Sequence, residues 1–226
     1  MIIETKNLTK KYSKKIAVNK LNMHVKNNSI YGFIGENGAG KTTTLSMLCH
    51  VKNPTSGSIK IFGTDIKNFN EIQPKLGAFL QNSSLYPDQT ALENLKFFAK
   101  LRNVKEPKKE AINLISKVGL SSYLNSKVKY LSHGMTKLVS IAQTLIAEPE
   151  LIILDEPTNG LDPKAIRLVK DLIISLKNKT IVISSHDLSV IKEVCTDIGI
   201  IDNGKVVVER KMPKTNLERL FLKSVK

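Results

Sequence analysis

The sequence of 226 residues predicts an α/β fold in which helices cover a largely parallel sheet. From residue 151 onward, apolar runs of strand length alternate with helical patterns, which is typical of parallel strands joined by crossover helices. Earlier, the apolar run 30–34 leads into a glycine-rich loop and then a segment without Gly or Pro (42–51), a strand–loop–helix arrangement. With 41% hydrophobic and 24% charged residues, the chain is long enough for one sizeable core.

The first 80 residues carry strand patterns separated by turn signals. Apolar and polar residues alternate at Ile2–Lys6, Leu21–Val25 and Ser58–Phe62, which predicts three strands with one buried face each. The stretch Asn53–Gly57, which contains Pro and Gly, predicts a turn before the third strand. We therefore expect a β-rich lobe at the start of the chain.

The region from about residue 82 to 147 changes character and is predicted to be helical. Ala91–Leu101 and Lys109–Val118 each repeat apolar residues at helical spacing. Gly119 follows the second segment and predicts a helix end, because glycine readily adopts the left-handed conformation found there. These helices would form a second lobe.

The last third of the chain contains alternating strand and helix patterns. Predicted strands lie at Leu151–Leu154, Thr180–Ser184 and Ile198–Ile201, and predicted helices at Pro163–Leu176 and Leu188–Cys195. Thr215–Val225 has the spacing of a short terminal amphipathic helix. This part of the chain would complete the parallel sheet.

A phosphate-binding loop is indicated after the apolar run Ile30–Ile34. Gly35–Thr42 fits the pattern G-x-x-x-x-G-K-[ST]. Its glycines let backbone N–H groups face phosphate oxygens, and the following helix N-terminus adds partial positive charge. Lys41 would supply a full charge to the β- and γ-phosphates, and the Thr42 hydroxyl would be a magnesium ligand. The alternative is a chance glycine-rich turn, and the flanking strand and helix argue against it.

A second candidate site follows the buried strand Leu151–Leu154. Asp155 and Glu156 stand where the strand ends, the edge at which open α/β sheets bind ligands. Asp155 is expected to bind magnesium through water, and Glu156 to deprotonate the water that attacks a γ-phosphate. Paired carboxylates also occur at ordinary strand ends, so the chemical interpretation depends on the phosphate loop nearby.

The net charge of +15 suggests an anionic partner, but the residue types argue against nucleic acid. Only four of the 35 basic residues are arginine, the side chain that specific base and phosphate recognition favours. Scattered lysines are typical of solvated faces, and attraction to an anionic inner membrane surface is the alternative. We expect no nucleic-acid partner.

Features of the chain favour a cytosolic location. The first ten residues lack the apolar core of a signal peptide, and no apolar stretch approaches the 18 residues that span a bilayer. Cys49 and Cys195 form no disulfide framework and are expected to be reduced packing residues within helices.

Five motifs stand in a fixed order along the chain. They are Gly35–Thr42, Gln81 after Lys75–Leu80, Leu131–Met135, Leu151–Pro157 and Ser184–Asp187. In this order they resemble the ATP-binding subunit of an ABC transporter, over about residues 2–208. The resemblance implies a single P-loop NTPase nucleotide-binding domain over residues 1–226. It would have an N-terminal antiparallel β subdomain, a helical subdomain over about 82–147 and a short C-terminal helix over about 215–225.

The resemblance also implies the ligands of the site, ATP and Mg²⁺. The residues implied in nucleotide binding are Tyr12, Gly35, Asn37, Gly38, Gly40, Lys41, Thr42, Thr43, Gln81, Ser132, Gly134 and Asp162. Those implied at Mg²⁺ are Thr42, Gln81 and Asp155, and those implied in catalysis are Lys41, Glu156 and His186. His186 would contact the γ-phosphate. Tyr12 would stack on adenine, although a lone tyrosine could also be a packing residue.

The third motif departs from the family pattern. In relatives, the Ser hydroxyl and the following glycine amides bind the γ-phosphate of the opposite subunit, which implies this role for Ser132 and Gly134. His133 stands where many relatives have glycine; it either places an imidazole beside a nucleotide or is a tolerated surface substitution. Thr136–Leu138 replaces a stretch that usually ends in Gln-Arg, and we expect this change to remove a charged anchor of the helix. Asp162, besides its interface role, fits the N-cap of a helix that begins at a proline.

The function implied by the resemblance is ATP hydrolysis coupled to transport. We expect a head-to-tail homodimer with two ATPs between its subunits, bound peripherally to integral membrane permeases at the inner face of the membrane. A narrower resemblance, in Ser29–Ile34, Leu85–Asn94, Asn159–Asp162 and Leu217–Leu222, is to the ATPases of bacitracin-resistance and lantibiotic self-immunity exporters. The alternatives are a soluble ABC ATPase, as in cofactor assembly, and a nutrient-importer ATPase.

Overall fold

Two β-sheets form the framework of the protein in a computed structural model that describes residues 1–80, 85–176, 178–213 and 216–225. The first sheet is antiparallel, with strand order β2-β1-β4-β5. Its strands are β1 (Ile3–Tyr12), β2 (Lys15–Val25), β4 (Ser56–Ile61) and β5 (Thr64–Asp65). This sheet is the β subdomain expected at the start of the chain. Strands β1 and β2 are longer than the alternating segments predicted, because irregularities in their pairing interrupt the pattern without ending the strands.

The second sheet has the order β10-β9-β3-β8-β7-β6, and its strands are parallel except for β10. The strands are β3 (Ile30–Ile34), β6 (Leu76–Phe79), β7 (Leu151–Asp155), β8 (Thr180–Ser185), β9 (Asp197–Asp202) and β10 (Lys205–Lys211). The predicted parallel sheet is therefore confirmed. Strand β10 was not predicted; it lies at the sheet edge and is mostly exposed, so its pattern of burial is weak.

Eight α-helices occur in the described parts of the chain. They are α1 (Lys41–Leu48), α2 (Phe69–Ile72), α3 (Ala91–Leu101), α4 (Pro107–Lys117), α5 (His133–Gln143), α6 (Pro163–Ser175), α7 (Leu188–Val194) and α8 (Leu217–Ser224). Helix α4 ends near Gly119, whose φ of +73° is that of the predicted helix stop. Among the described residues, no helix is long and apolar enough to cross a membrane.

The parallel sheet separates two hydrophobic cores. Along β7, Ile152 and Leu154 belong to the core shared with helices α3 to α7, whereas Leu151 and Ile153 belong to the core beneath the antiparallel sheet and α1. Because successive side chains of a strand point to opposite faces, an unbroken apolar run is what a strand buried on both faces requires. Burial on both faces fixes the position of the end of β7, where the acidic pair Asp155–Glu156 lies.

A hydrogen-bond cluster around the Glu209 carboxylate joins the two sheets at their edge. The Tyr31 hydroxyl of β3 donates to Glu209 Oε1 of β10 at 2.7 Å, and the His24 backbone N–H of β2 donates to the same oxygen at 2.8 Å. His24 Nδ1 lies 2.9 Å from the other carboxylate oxygen. Gly199 on β9 leaves the space through which the Tyr31 side chain reaches Glu209, since a Cβ there would collide with the Tyr31 hydroxyl. Glu209 therefore links strands of both sheets.

Both cysteines lie one residue after a helix. Cys49 follows α1 and Cys195 follows α7, rather than lying inside these helices as expected. Both are free and buried, in agreement with a packing role. Burial raises the pKa of the Cys49 thiol to about 12 and also raises the pKa of Cys195. These thiols are accordingly protonated at neutral pH.

Candidate functional site

The glycine-rich loop joins β3 to α1 as predicted. Gly40 is the N-cap of α1 with φ of +112°, and a Cβ at this position would lie 2.5 Å from the Ala17 carbonyl oxygen. Only glycine tolerates both the positive φ and the close approach of the Ala17 carbonyl. The first N–H groups of a helix have no partner within the helix, and no side chain caps α1. The loop therefore leads into a helix N-terminus whose first N–H groups are not used within the helix, which is an anion-binding arrangement.

The Lys41 side chain is folded back over this loop. Its ammonium group donates to the Gly35 carbonyl oxygen at 2.6 Å and to the Glu36 carbonyl oxygen at 3.2 Å. Only 6% of the residue is exposed. The same nitrogen lies 3.4 Å from Glu156 Oε1, so a buried cation from the loop faces a buried carboxylate from the end of β7.

A cleft of about 380 Å³ opens above the loop. It is lined by Tyr12, Lys15, Ala17, Glu36, Asn37, Gly38, Gly40, Lys41, Thr42, Thr43, Glu156, Asn159 and His186. Most of the residues expected around ATP thus come together in one cavity, from strands and loops far apart in sequence. Lys15, Ala17, Glu36 and Asn159 were not predicted to line this cleft. The first three lie close in sequence to Tyr12 or to the glycine-rich loop, and this proximity could have indicated them.

Tyr12 lies at the rim of the cleft with 40% of its surface exposed. The ammonium groups of Lys10 and Lys52 each lie 5.3 Å from the centre of its ring. An exposed aromatic ring facing a cavity can stack on a flat base. Its position therefore favours the binding interpretation over a packing role.

Asp155 is completely buried at the end of β7. One carboxylate oxygen accepts a 2.5 Å hydrogen bond from the Ser184 hydroxyl on the neighbouring strand β8. The other oxygen, Oδ2, is buried and has no hydrogen-bond partner among the described residues. A buried carboxylate oxygen left unpaired is costly, and a hydrated hard cation is the kind of group that satisfies it.

Glu156 adopts a left-handed backbone conformation with φ of +46°. Such a φ is uncommon for a residue with a side chain, and it is held here by surrounding contacts. Its N–H donates to the Ser184 hydroxyl at 2.9 Å. Its carboxylate lies between two groups, because Oε2 is 3.0 Å from His186 Nδ1 and Oε1 faces Lys41. The predicted base and the predicted γ-phosphate contact, His186, are therefore direct neighbours.

Ser184 is a residue of the site for which no role was predicted. Its hydroxyl donates to Asp155 and accepts from the Glu156 N–H, so one buried group fixes both acidic residues. Position 184 belongs to a recognised motif, Ser184–Asp187. Its two contacts across the strands could be predicted only with knowledge of the β7–β8 register, in which Asp155 pairs with Ser184.

Ser132 and Gly134 lie outside the cleft lining. Ser132 is exposed and is the N-cap of α5, where its hydroxyl accepts from the Met135 N–H at 3.2 Å. His133 is also exposed, and its Nε2 would lie 4.0 Å from a Cβ on Gly160. The third motif is therefore a surface feature next to loop Asn159–Asp162, and it does not contribute to the cleft of its own chain.

Lys137 corrects the expectation that α5 lacks a charged anchor. Leu138 is buried and apolar, but the Lys137 ammonium donates to the Glu156 carbonyl oxygen at 2.9 Å and to the Asn159 carbonyl oxygen at 2.7 Å. The expectation was wrong because the anchoring cation stands one position earlier than in the family pattern. Which backbone a lysine reaches depends on tertiary packing and cannot be read from the motif.

Two further predicted residues have different outcomes. Asp162 is the N-cap of α6, where its carboxylate accepts from the Ala165 N–H at 2.9 Å ahead of Pro163, so its predicted structural role is confirmed. It does not line the cleft. Gln81 lies outside the described residues.

Comparison with known proteins identifies the family. The sequence profile of the ABC transporter family matches residues 18–159. The chain belongs to the ABC transporter family. The family resemblance expected from its five motifs is thereby confirmed, and the ATPase class follows from this membership.

Two similar relatives are transport ATP-binding proteins of Bacillus licheniformis and Streptococcus pyogenes. A bacitracin transport ATP-binding protein of Bacillus licheniformis is 46% identical over 213 residues, which cover 92% of this chain and 69% of the relative. A lantibiotic transport ATP-binding protein of Streptococcus pyogenes is 37% identical, covering 97% of this chain and 96% of the relative. The narrower resemblance to bacitracin and lantibiotic transport ATPases is confirmed at this level of similarity.

The fold agrees with solved structures of ATP-binding cassettes. A dimeric cassette in a post-hydrolysis state, bound to ADP and phosphate, superposes with a TM-score of 0.86 and 27% sequence identity. The match covers 94% of this chain and all of that one. The expected ABC-type α/β fold is therefore confirmed.

Proposed function

We propose that this chain hydrolyses ATP to power the export of a peptide antibiotic of the bacitracin or lantibiotic type. One observation carries the substrate class: the similarity extends over at least 92% of the chain to both a bacitracin and a lantibiotic transport protein. In this proposal, residues 1–226 act as one ATP-binding domain that binds, at the inner face of the membrane, to integral membrane permeases, and these permeases perform the transport itself.

The triphosphate would bind in the cleft above the glycine-rich loop. The N–H groups at the start of α1 and the loop glycines would face the phosphate oxygens, with the Lys41 ammonium between the β- and γ-phosphates. The Lys41 ammonium already lies at the loop, held by two backbone carbonyls. Tyr12 at the rim of the cleft would stack on the adenine.

The acidic end of β7 suits Mg²⁺. Asp155 offers a buried oxygen without a hydrogen-bond partner, and the Thr42 hydroxyl belongs to the cleft lining. Oxygen ligands of this kind match a hard cation that retains several waters. Bound there with Gln81 as a further ligand, magnesium would neutralise phosphate charge. The residues of this chain then have to position water and accept its proton.

Glu156 is the proposed base. Its carboxylate would take a proton from a water whose oxygen attacks the γ-phosphorus, while the bond from this phosphorus to the bridging oxygen of ADP breaks. His186, 3.0 Å from Glu156, would hold the water and the γ-phosphate in line. In this arrangement most of the catalytic effect would come from placement and charge.

A second copy of the chain would complete each site. Ser132 is exposed and Gly134 half-buried, and both lie outside the cleft of their own chain, so they are free to contact the γ-phosphate of a partner. Asn159–Asp162 adjoins them and would cross the same interface. A solved cassette of the same fold is dimeric, which supports the association of two copies. In our proposal the two copies are arranged head-to-tail with two ATPs at their interface.

The test of the proposed function uses deletion and complementation. Cells lacking the gene should become more sensitive to bacitracin or to one of a panel of lantibiotics, and the wild-type gene but not Glu156→Gln should restore resistance. Unchanged sensitivity across the panel, combined with a defect in nutrient uptake, would contradict export. Affinity purification should recover a polytopic membrane protein; recovery of soluble assembly factors alone would favour a soluble ABC ATPase.

A further inference from the structure

A lysine of helix α5, Lys137, contacts the acidic end of β7. The Lys137 ammonium donates to the carbonyl oxygens of Glu156 and Asn159 at 2.9 and 2.7 Å. The Asn159 N–H also donates to the Glu156 carbonyl oxygen at 3.3 Å, so these residues close a turn that Lys137 holds from the side of α5. Lys137 thus binds the backbone of the residue proposed as the base.

The environment of Lys137 is only partly accessible to water. The residue is half-buried, and its ammonium lies 5.7 Å from the centre of the Phe79 ring. Burial lowers the pKa of Lys137, and the carboxylates of Glu156 and Asp155 act in the opposite direction. A cation withdrawn from water needs compensating partners, and two carbonyl oxygens with two nearby carboxylates provide them. These partners therefore fix the position of the Lys137 ammonium, unlike that of a flexible lysine on the surface.

The backbone of Glu156 is held from two sides. On the β8 side, the Ser184 hydroxyl accepts from its N–H at 2.9 Å; on the α5 side, Lys137 donates to its carbonyl oxygen. Between these contacts the residue adopts a φ of +46°, a conformation that persists only where the surroundings determine it. The direction of the Glu156 carboxylate toward His186 and Lys41 depends on this backbone.

We propose that Lys137 is a positioning residue that fixes Glu156 for hydrolysis and couples it to the helix that carries Ser132. The inference rests on the proposed function, in which Glu156 is the base and Ser132 serves the ATP of the partner. Ser132 caps the start of α5, and Lys137 lies on its second turn. When ATP in the partner's site shifts α5, Lys137 moves with the helix. Its hydrogen bond to the Glu156 carbonyl then transmits this shift to this chain's own site.

The experiment compares Lys137→Met, Lys137→Arg and Lys179→Met in the full-length protein. Lys179 is a matched control, since it is also half-buried and donates to a backbone carbonyl, that of Glu148, at 2.9 Å. For Lys137→Met we expect kcat to fall by about 10- to 100-fold, because a misplaced catalytic group loses up to about 10²-fold in rate. ATP affinity and melting temperature should stay near those of Lys179→Met, and Lys137→Arg should retain most of the activity.

A double mutant separates positioning from a general structural effect. If Lys137 acts through Glu156, adding Lys137→Met to Glu156→Gln should leave the residual turnover unchanged. Normal kcat in Lys137→Met, an equal loss in Lys179→Met, or a further large loss in the double mutant would overturn the proposal. These outcomes are distinct from failure of the proposed function, which would appear as full activity in Glu156→Gln itself.

Discussion

The Lys41 ammonium lies 3.4 Å from Glu156 Oε1, and both side chains are less than 10% exposed. The contact is an ion pair without a hydrogen bond, because Oε1 accepts none from the described residues. Lys41 donates instead to the carbonyl oxygens of Gly35 and Glu36. The proposed phosphate-binding cation and the proposed base thus form one buried electrostatic unit, and a change to either charge affects the other.

Glu156→Gln should slow ATP turnover by about 10²-fold or more, since a positioned base contributes about 10²–10⁴-fold. The amide keeps the size of the side chain, so ATP binding should persist. With hydrolysis blocked, ATP should hold the protein as a dimer. Steady-state ATPase assays and size-exclusion chromatography with ATP measure both effects; normal turnover in this variant would exclude Glu156 as the base.

Lys41→Ala should weaken both nucleotide binding and turnover. The loss of a charge-assisted contact with phosphate corresponds to about a 10- to 100-fold lower ATP affinity. Titration calorimetry with a non-hydrolysable ATP analogue measures this affinity. Lys15→Ala is the control, because Lys15 lines the same cleft but is exposed, and screened charges contribute less. Equal effects of the two substitutions would contradict the role given to Lys41.

Ser184→Ala should reduce both stability and activity. It leaves the buried Asp155 carboxylate without its hydroxyl donor, at a cost of about 1–3 kcal/mol in the free energy of unfolding, whereas the Glu156 N–H keeps the Ser184 carbonyl oxygen as an acceptor. Denaturant unfolding measures this cost. Ser185→Ala is matched in burial, and its hydroxyl accepts one hydrogen bond, from the Asp187 N–H. If Ser184→Ala affected kcat no more than Ser185→Ala, the two contacts would not position the acidic pair.

Tyr31→Phe should destabilise the junction of the two sheets by about 1.5 kcal/mol, since it removes the hydrogen bond from the buried Tyr31 hydroxyl to the partly exposed Glu209 carboxylate. Burial, followed by the charge of Glu209, raises the pKa of Tyr31 well above its usual value. Above pH of about 10 the unfolded tyrosine releases its proton while the folded one keeps it, so this contribution falls as pH rises.

The measurement for Tyr31 is denaturant unfolding between pH 7 and 11. The wild-type protein should lose stability above pH 10 more steeply than Tyr31→Phe, and the two curves should converge. Tyr123→Phe is the control, because Tyr123 is exposed at 45% and should leave the curve unchanged. Parallel curves for wild type and Tyr31→Phe would show that ionisation of Tyr31 does not contribute to the pH dependence of stability, and would contradict the prediction.

Features defined by local sequence were predictable. The glycine-rich loop needs only a strand, positive φ at Gly40 and a helix start, all of which neighbouring residues specify. Likewise, Asp162 before Pro163 specifies a helix N-cap, and the continuous apolar run of β7 specifies a strand buried on both faces. In each case the residues that form the pattern are neighbours along the chain, so the sequence pattern contains the information.

The tertiary structure decided which groups meet. Ser184 reaches both acidic residues because β7 and β8 pair in one register, and Lys137 reaches the Glu156 carbonyl because α5 packs against the end of β7. Glu209, on a strand with a weak pattern, meets Tyr31 only across the sheet edge. The sequence by itself determined the phosphate loop, the acidic pair and the alternation of strands and helices. The hydrogen bonds that aim the acidic pair depend on distances between elements far apart in the chain, and only the folded packing sets those distances.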